Sequence, residues 1–373
     1  MSAQSPLGPL PASATTANRA ALLVGDPATY AEAVRLIDSA KTRIRFETFT
    51  LNGPEGAGIV AALRRAQARG VAVQVILDPK AMHLSDQHDL AADLVASGVT
   101  VHRYREATLN DPLVAIDHAK LLDIDGKTAL VGGTNFDRRV NYDLNFELQG
   151  PAVAHVQDQF AQSWQVSRPL KGDVPATALP PVAGTTTPAT LRPLLRDDTP
   201  VAISETAPED AKTISPRTYD EALAAIKQAK TSIDLLMYNL DDRKELAALM
   251  AARQRGVQVR VVLNPDSLNW GALLTLKTAG VDVRWFKLPK GIDELHAKVA
   301  IFDHQTVLGG STNWVHSSNF DNHELGVWVG GTIASQVQKT YDDLWQQQTL
   351  SPGHLTVGNV LSARLSRDIA GII

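Results

Sequence analysis

The sequence has no cysteine among its 373 residues, which excludes disulfide bonds and thiolate metal sites. It contains no run of about 18 apolar residues, so no membrane-spanning helix is predicted. The first twenty residues have neither a basic nor an apolar segment, so no signal peptide is expected. We therefore expect a cytoplasmic or peripheral membrane protein, with export after removal of a leader as the alternative.

The charge balance also lacks an excess of either sign. The net charge is −4, and no stretch is rich in lysine and arginine, so general attraction to a polyanion is not expected. By contrast, 44% of the residues are hydrophobic and 20% are charged, which is typical of a folded chain with a substantial core. The length suits two domains of ordinary size.

The two halves of the chain resemble each other in sequence. Three segments of the first half recur in the second half in the same order, at offsets that fall from 189 to 182 residues. A slowly drifting offset indicates one duplicated unit with changes in loop length. The matched segments are Ala40–Leu51 with Ala229–Leu240, Arg65–Pro79 with Ala251–Pro265, and Ser97–Tyr104 with Ala279–Phe286.

Within each unit, β-branched and apolar runs alternate with segments of helical periodicity. In the first unit the order is strand, helix, strand, helix, strand and then a hairpin through the turn at Asp125–Gly126. This order predicts an α/β fold in which each lobe is a mixed β-sheet flanked by helices. We expect the two lobes to face each other about a pseudo-twofold axis.

The domain boundaries follow from composition. Residues 168–210 are rich in Pro, Thr and Ala and are predicted to form a linker. The other predicted divisions are a flexible amino-terminal segment at 1–24, lobe 1 at 25–167, lobe 2 at 211–350 and a carboxy-terminal tail at 351–373.

A short polar phrase, His-x-Lys-x₄-Asp, occurs once in each half. Alternation along a strand places its histidine and lysine on one face, although neither is a natural core residue. Each phrase is followed by a small-residue turn ending in asparagine and then by Asn-x-Glu, so we predict two copies of one half-site. The residues are His118, Lys120, Asp125, Gly133, Asn135 and Glu147, and then His296, Lys298, Asp303, Ser311, Asn313 and Glu324.

Two such half-sites that meet have the groups needed to cleave a phosphodiester. Ammonium, amide and backbone N–H groups suit a tetrahedral anion. One histidine can attack phosphorus while the other protonates the leaving oxygen. A carboxylate on the far ring nitrogen would fix each tautomer, and Glu147 and Glu324 are the predicted carboxylates. The chemistry requires no metal and no other cofactor.

The doubled pattern resembles the HKD signature of the phospholipase D superfamily, over residues 30–165 and 215–346. The segment Gly132–Leu148 is similar to the corresponding run of bacterial cardiolipin synthases, except that Gly133 replaces the usual serine. The resemblance implies two lobes around one active site, with His118 as nucleophile and His296 as acid and later base. Asp125 and Asp303 are implied to be structural. The implied phosphate-binding residues are Lys120, Lys298, Asn135, Asn313, Ser311 and Gly133.

The resemblance further implies a phospholipid substrate, which we expect to be anionic, and peripheral contact with a membrane. Both half-sites lie in one chain, so a monomer is expected. The implied activity is hydrolysis or phosphatidyl transfer through a phosphohistidine. A metal-independent nuclease or DNA-end-processing enzyme is the alternative, and a phosphate-binding homologue without activity is the third candidate.

Several polar residues outside the two half-sites leave alternatives open. Arg138 and Arg139 suit either a solvated pair or a contact with a second phosphate or headgroup. His316 and His323 flank the second Asn-x-Glu and are candidates for the border of the pocket. The remaining histidines have no repeated partner and are expected at the surface or in loops.

Overall fold

A computed structural model describes residues 10–83, 87–105, 116–170, 195–208 and 214–351. The first lobe begins with a strand and then follows the predicted alternation of strands and helices. Its elements are β1 (Thr15–Val24), α1 (Asp26–Ser39), β2 (Arg43–Thr48), α2 (Gly53–Ala68), β3 (Ala72–Leu77), a 3₁₀ turn (Ala81–His83), α3 (Gln87–Ala96), β4 (Thr100–Arg103), β5 (Leu121–Ile124), β6 (Thr128–Gly132), β7 (Leu144–Gln149), α4 (Ala152–Val166) and β8 (Arg168–Pro169).

The second lobe repeats this order, with an added short strand before its first helix and an added helix between its last two long strands. Its elements are β9 (Arg196–Pro208), β10 (Ile214–Pro216), α5 (Arg217–Gln228), β11 (Ser232–Met237), α6 (Arg243–Gln254), β12 (Gln258–Leu263), a 3₁₀ turn (Ser267–Asn269), α7 (Trp270–Thr278), β13 (Asp282–Phe286), β14 (Lys298–Phe302), β15 (Thr306–Gly310), α8 (His316–Phe320), β16 (Glu324–Gly330), α9 (Gly331–Gln347) and β17 (Thr349–Leu350).

Each lobe contains a mixed sheet, as predicted. In lobe 1, β2, β3 and β4 are parallel neighbours, while β5, β6 and β7 continue from β2 as antiparallel strands. Lobe 2 has the same pattern, with β11, β12 and β13 parallel and β14, β15 and β16 antiparallel. The parallel strands are buried and rich in β-branched residues because helices cover them.

Glycines follow the helices that connect one parallel strand to the next. Gly70 follows α2 with φ +85° and Gly98 follows α3 with φ +84°. Gly256 and Gly280 have the corresponding positions after α6 and α7, also with positive φ. A residue without Cβ adopts this left-handed conformation at low cost and lets the chain turn back into the next strand.

Two of the predicted boundaries are wrong. The amino-terminal segment 1–24 was expected to be flexible, but Thr15–Val24 forms β1 and pairs with β7. The segment 168–210 is predicted to be an extended linker between the lobes, but Arg196–Pro208 forms β9 between β1 and β16 and is part of the sheet. Both strands pair with the last long strand of a lobe, so their partners are distant in the sequence. Residues 1–9, 171–194 and 352–373 lie outside the described ranges.

The strand β9 joins the two sheets into one. It pairs with β1 of lobe 1 on one side and with β16 of lobe 2 on the other, so Val201 lies opposite both Thr15 and Val329. A shared apolar core lies at the same junction and contains Phe146 and Phe160 of lobe 1 together with Val327 and Tyr341 of lobe 2. The lobes are therefore packed closely enough to build a site between them.

The two motif aspartates lie at the end of their hairpin strands away from the histidines. Asp125 accepts hydrogen bonds from the backbone N–H groups of Lys41 at 2.9 Å, Thr42 at 2.7 Å and Arg43 at 3.0 Å. Asp303 accepts the corresponding bonds from the start of β11. Partial burial would raise the pKa of Asp125, but these hydrogen bonds outweigh it and lower the pKa to about 2.

We expect Asp125→Ala to lower the free energy of unfolding by about 1–2 kcal/mol at pH 7, since three N–H groups lose a partly exposed acceptor. The folded-state pKa lies below the ordinary value of about 3.9, so this stabilisation is present above about pH 4 and is lost as the pH falls towards 2. Urea denaturation at neutral and acidic pH measures both effects. Asp158→Ala, on the exposed face of α4, is the control. An equal loss at both pH values would contradict this role.

Candidate active site

Each His-x-Lys segment contacts the segment that leads into the last long strand of the opposite lobe. The backbone N–H of His118 donates to the carbonyl of His323 at 2.8 Å, and that of His296 donates to the carbonyl of Tyr142 at 2.9 Å. Both histidines are less than 10% exposed. The backbone of each histidine is therefore held by the lobe that carries the other histidine.

His118 is oriented by a carboxylate of lobe 2. Its Nδ1 lies 2.9 Å from Oε2 of Glu324, the first residue of β16. The Ser311 hydroxyl donates to the same oxygen at 2.6 Å, and Asn322 donates to Oε1 at 3.2 Å. Burial would raise the pKa of Glu324, but His118, Lys120 and Ser311 together lower it. Glu324 is thus an anion held ready to accept the imidazole N–H.

His296 is oriented in the same way by a carboxylate of lobe 1. Its Nδ1 lies 2.7 Å from Oδ2 of Asp143, and Oδ1 of Asp143 accepts the N–H of Leu144 at 2.9 Å. Burial would raise the pKa of Asp143, but His296 and Lys298 lower it. A carboxylate only accepts hydrogen bonds, so both rings carry hydrogen on Nδ1 and present Nε2 to a substrate.

The prediction that Glu147 orients a histidine is wrong. Glu147 lies in β7, where Gln149 donates to it at 3.3 Å and Arg35 lies 4.0 Å away. Burial and the neighbouring Glu32 raise its pKa to about 7. The position equivalent to Glu324 is Asp143 instead.

Strand register explains why counting residues from each histidine identified Glu147 instead of Asp143. Gly132 lies opposite Asn145 in lobe 1, and Gly310 lies opposite Gly326 in lobe 2. Asp143 and Glu324 therefore each lie two residues before the partner of the turn glycine. The helix α8 lengthens the second connection, so equal spacing from the two histidines does not identify equivalent residues. The shared Asn-aromatic-acid-Leu sequence at 141–144 and 322–325 was the available signal.

The small-residue turns of the two lobes differ, with Gly133 in one and Ser311 in the other, because the carboxylates beside them differ in length. A Cβ built on Gly133 would lie 2.6 Å from Oδ1 of Asp143, so the shorter acid occupies the space of a side chain. In lobe 2 the longer Glu324 leaves room for Ser311, which donates to it. A glycine at position 133 in place of serine thus leaves the space that the Asp143 carboxylate occupies.

Gly133→Ala should reduce activity by about 10–100-fold, the usual cost of disturbing a group that orients a catalytic residue. The added methyl displaces Asp143 from His296. Gly58→Ala is the matched control, because a Cβ at Gly58 meets nothing within 4 Å. Initial rates and circular dichroism of the two variants should separate a local effect from misfolding. Full activity of Gly133→Ala would show that the Asp143 contact is dispensable.

The two lysines are buried beside the histidines. Lys120 donates to the carbonyl of His118 at 2.6 Å, and Lys298 donates to the carbonyl of His296. Burial lowers the pKa of Lys120 to about 7, and the charge of Lys298 contributes to this shift. Burial lowers the pKa of Lys298 to about 8. Two buried ammonium groups side by side form a site suited to an anion.

An aromatic ring covers each His–Lys pair. The ring of Phe49 lies 5.2 Å from that of His118 and 5.4 Å from the Lys120 Nζ. The ring of Tyr238 lies 4.9 Å from that of His296 and 5.0 Å from the Lys298 Nζ. These rings exclude water and strengthen the electrostatic interactions within the site.

Both histidines are held neutral in the unliganded site. Burial lowers the pKa of His118, although Glu324 opposes the shift. Burial and the Lys298 charge lower the pKa of His296 to about 3, against the opposing effect of Asp143. An anion beside the rings would favour protonation of one of them.

The two asparagines that are predicted to bind phosphate, Asn135 and Asn313, differ in their hydrogen bonds. Oδ1 of Asn313 accepts the N–H of Asn239 at 3.3 Å, which directs its amide nitrogen away from that bond. Oδ1 of Asn135 is buried and has no hydrogen-bond partner among the described residues. Both side chains are at most 9% exposed. Their role in phosphate binding stays a prediction.

Other polar residues are placed differently from the sequence prediction. His102 and His323 are buried rather than at the surface, and His102 stacks on Trp164 with ring centroids 3.6 Å apart. His316 is exposed on α8. Arg139 forms an ion pair with Glu294 of lobe 2 at 3.0 Å. His323 was a candidate for the pocket border and belongs instead to a buried group described below.

The geometry defines a class of protein: two duplicated lobes of phospholipase D fold that share a histidine–lysine site. The sequence matches the family described as "Cardiolipin synthase, PLD-like domain" over residues 33–164 and 222–345. These ranges cover more than half of the chain, which therefore belongs to this family.

Two curated relatives agree with this assignment. The chain is 28% identical over 342 residues to cardiolipin synthase A of Pseudomonas fluorescens, covering 86% of this chain and 66% of that protein. It is 27% identical over 333 residues to cardiolipin synthase A of Pseudomonas aeruginosa, covering 83% of this chain and 63% of that protein. The chain thus spans slightly less than two thirds of the length of these relatives.

A solved structure shows the same fold. The crystal structure of phosphatidylserine synthase from Haemophilus influenzae superimposes with a TM-score of 0.67 at 14% sequence identity, covering 95% of this chain and 93% of that chain. The predicted arrangement of two lobes with mixed sheets is confirmed.

Proposed function

We propose that this protein is a phosphatidyltransferase or phospholipase that cleaves a phospholipid phosphodiester through a phosphohistidine. The observation that carries the proposal is the crossed pairing of the histidines, His118 with Glu324 and His296 with Asp143. Each ring has a fixed tautomer and, among the residues that the structure describes, no hydrogen-bond partner at Nε2, and two lysines supply positive charge. Such an arrangement suits displacement at phosphorus with one attacking and one proton-donating imidazole.

The proposed first step forms the covalent intermediate. The Nε2 lone pair of His118 attacks phosphorus, and the ester oxygen leaves as an alcohol with a proton from Nε2 of His296. Glu324 stabilises the positive charge that develops on His118 through its bond to Nδ1. Lys120 and Lys298 stabilise the charge on the phosphoryl oxygens. The family resemblance supplies the order of the two histidines.

The proposed second step reverses these roles. Neutral His296 removes the proton from an acceptor hydroxyl, and the acceptor oxygen attacks phosphorus while the bond to His118 breaks. Water as acceptor gives hydrolysis and an alcohol gives transfer. An alcohol acceptor is favoured by the similarity to proteins named cardiolipin synthase.

The relatives also support a lipid substrate, which we propose to be anionic. None of the helices in the described part of the chain has both the length and the apolarity to cross a membrane. We propose peripheral contact with the membrane and a monomer, because one chain supplies both half-sites. The net charge of −4 gives no support to the nuclease alternative.

An assay with three separate substrates tests the proposal. Purified protein is incubated with vesicles of phosphatidylglycerol, with vesicles of phosphatidylcholine and with single-stranded DNA, and products are identified by mass spectrometry. We expect cardiolipin and glycerol from phosphatidylglycerol. Phosphatidic acid in place of cardiolipin would assign hydrolysis, whereas cleavage of DNA alone would refute a lipid function. Binding without turnover of any substrate would support the non-catalytic alternative.

The pH dependence of kcat/KM should be bell-shaped. Activity should rise with pH as His118 loses its proton, at a pH below the ordinary histidine value of about 6.5 because the site lowers the pKa. It should fall above about pH 7–8, where Lys120 and Lys298 lose the charge that binds phosphate. The alkaline fall should therefore be accompanied by a rise in KM. A profile that is flat between about pH 5 and 9 would contradict these assignments.

A further inference from the structure

A buried polar cluster lies beside the active site at the junction of the lobes; we call it the Glu47 cluster. His323 is its centre, with Nδ1 2.8 Å from Oδ1 of Asp117 and 3.4 Å from Oε1 of Glu47. Nε2 of His323 lies 3.4 Å from Oε1 of Glu205. The ring of Tyr104 stacks on that of His323 at 5.1 Å. Glu47, Asp117 and His323 are at most 1% exposed.

The cluster has too few hydrogen-bond donors for its carboxylates. An imidazolium has two N–H groups, which in this geometry face Asp117 and Glu205. Among the described residues, neither carboxylate oxygen of Glu47 has a hydrogen-bond partner, and neither does Oδ2 of Asp117. Buried carboxylate oxygens without a partner are costly, so a positively charged ligand would stabilise the cluster.

The duplicated lobe shows that the fold does not require these charges. The positions equivalent to Glu47, Tyr104 and Asp117 are Leu236, Phe286 and Leu295, which all belong to the shared apolar core. The counterpart of His323 is Tyr142, whose ring lies 5.4 Å from that of Phe286. The counterpart of Glu205, which pairs with Leu325 as Val24 pairs with Leu144, is Val24. The location beside His296 is therefore apolar, whereas the equivalent location beside His118 is ionisable.

We propose that the Glu47 cluster binds a divalent first-row metal ion, Zn²⁺ or Mn²⁺, through Glu47, Asp117 and Nδ1 of His323. One atom from each of these residues lies within 4.8 Å of the others. Around a tetrahedral zinc the ligand atoms are about 3.4 Å apart, so small side-chain shifts suffice. Two oxygens and one imidazole nitrogen suit zinc or manganese and are too few for calcium, which takes 6–8 oxygen ligands.

The surroundings fit a ligated histidine. A metal-bound imidazole usually donates its other N–H to a carboxylate, and Nε2 of His323 faces Glu205. The metal would link Glu47 and Asp117 of lobe 1 to His323 of lobe 2. Because Asp117 and His323 immediately precede His118 and Glu324, it would fix the catalytic pair without contacting the phosphate. The site departs from the expectation that no metal is bound.

Isothermal titration calorimetry tests the proposal on the full chain after dialysis against EDTA. We expect ZnCl₂ or MnCl₂ to bind at one site per chain and to raise the melting temperature. Glu47→Leu copies the residue of the other lobe and should weaken binding at least tenfold. Glu47→Gln keeps the shape and should give the same result if Glu47→Leu does not fold.

Two controls separate this site from other metal-binding groups. His118→Ala removes an active-site imidazole and His88→Ala removes an exposed one; both should bind the metal as wild type does. The proposal is overturned if wild-type protein binds neither ion with a Kd below about 10 μM. It is also overturned if folded Glu47→Leu and Glu47→Gln both bind as tightly as wild type, or if His118→Ala loses the site.

Discussion

His118→Ala is expected to lower kcat by about ten thousand-fold or more, for hydrolysis and transfer alike, because no covalent intermediate can form. His296→Ala should fail mainly with poor leaving groups, which need a proton as the ester bond breaks. With a p-nitrophenyl phosphodiester it should retain a burst of p-nitrophenol. The second step should then stall, because the base that activates the acceptor is absent.

Mass spectrometry of protein quenched during turnover decides the order of the histidines. Phosphorylation should be found on the peptide that contains His118, and it should accumulate in His296→Ala. Phosphate on the His296 peptide alone would reverse the two roles. The absence of any covalent adduct in both proteins, with turnover intact, would refute the phosphohistidine route.

The second large effect is expected from the two crossed carboxylates. Glu324→Gln and Asp143→Asn should each lower kcat by about 10²–10⁴-fold, since each removes the anion that fixes a tautomer and stabilises an imidazolium. Glu147→Gln is the matched control, because Glu147 is a buried acid of β7 that contacts no histidine among the described residues. It should change kcat by less than about threefold.

The pH profiles distinguish orientation of the histidines from general stability. Loss of Glu324 should lower the pKa of His118, which moves the acid limb of kcat/KM to lower pH. Loss of Asp143 should lower the pKa of His296 further, so less of the proton donor is present and kcat should fall, while the alkaline limb set by Lys120 and Lys298 stays in place. Melting temperatures provide the structural comparison. A large loss of kcat in Glu147→Gln, with near-normal kcat in Glu324→Gln and Asp143→Asn, would support Glu147 as the orienting carboxylate, as the spacing predicts.

Much of the fold could be predicted because its strands and helices follow from the residue pattern within short segments. The alternation of Arg43–Thr48, Gly53–Ala68 and Ala72–Leu77 as strand, helix and strand follows from periodicity and from the glycine after the helix. The duplication doubles this signal, since each assignment is made twice on different residues. The strands β1 and β9 were missed because their pairing with β7, with each other and with β16 joins segments more than 100 residues apart, and local composition does not encode such pairing.

The amino-acid sequence by itself determined the duplication, the mixed-sheet lobes, the repeated histidines and lysines and the family to which they belong. These features depend on residue type and short spacing. The tertiary structure alone decided that His118 pairs with Glu324 across 206 residues and His296 with Asp143 across 153. It also brought Glu47, Asp117 and His323 together. These contacts depend on strand register and on the packing of one lobe against the other, which loop lengths shift without changing either motif.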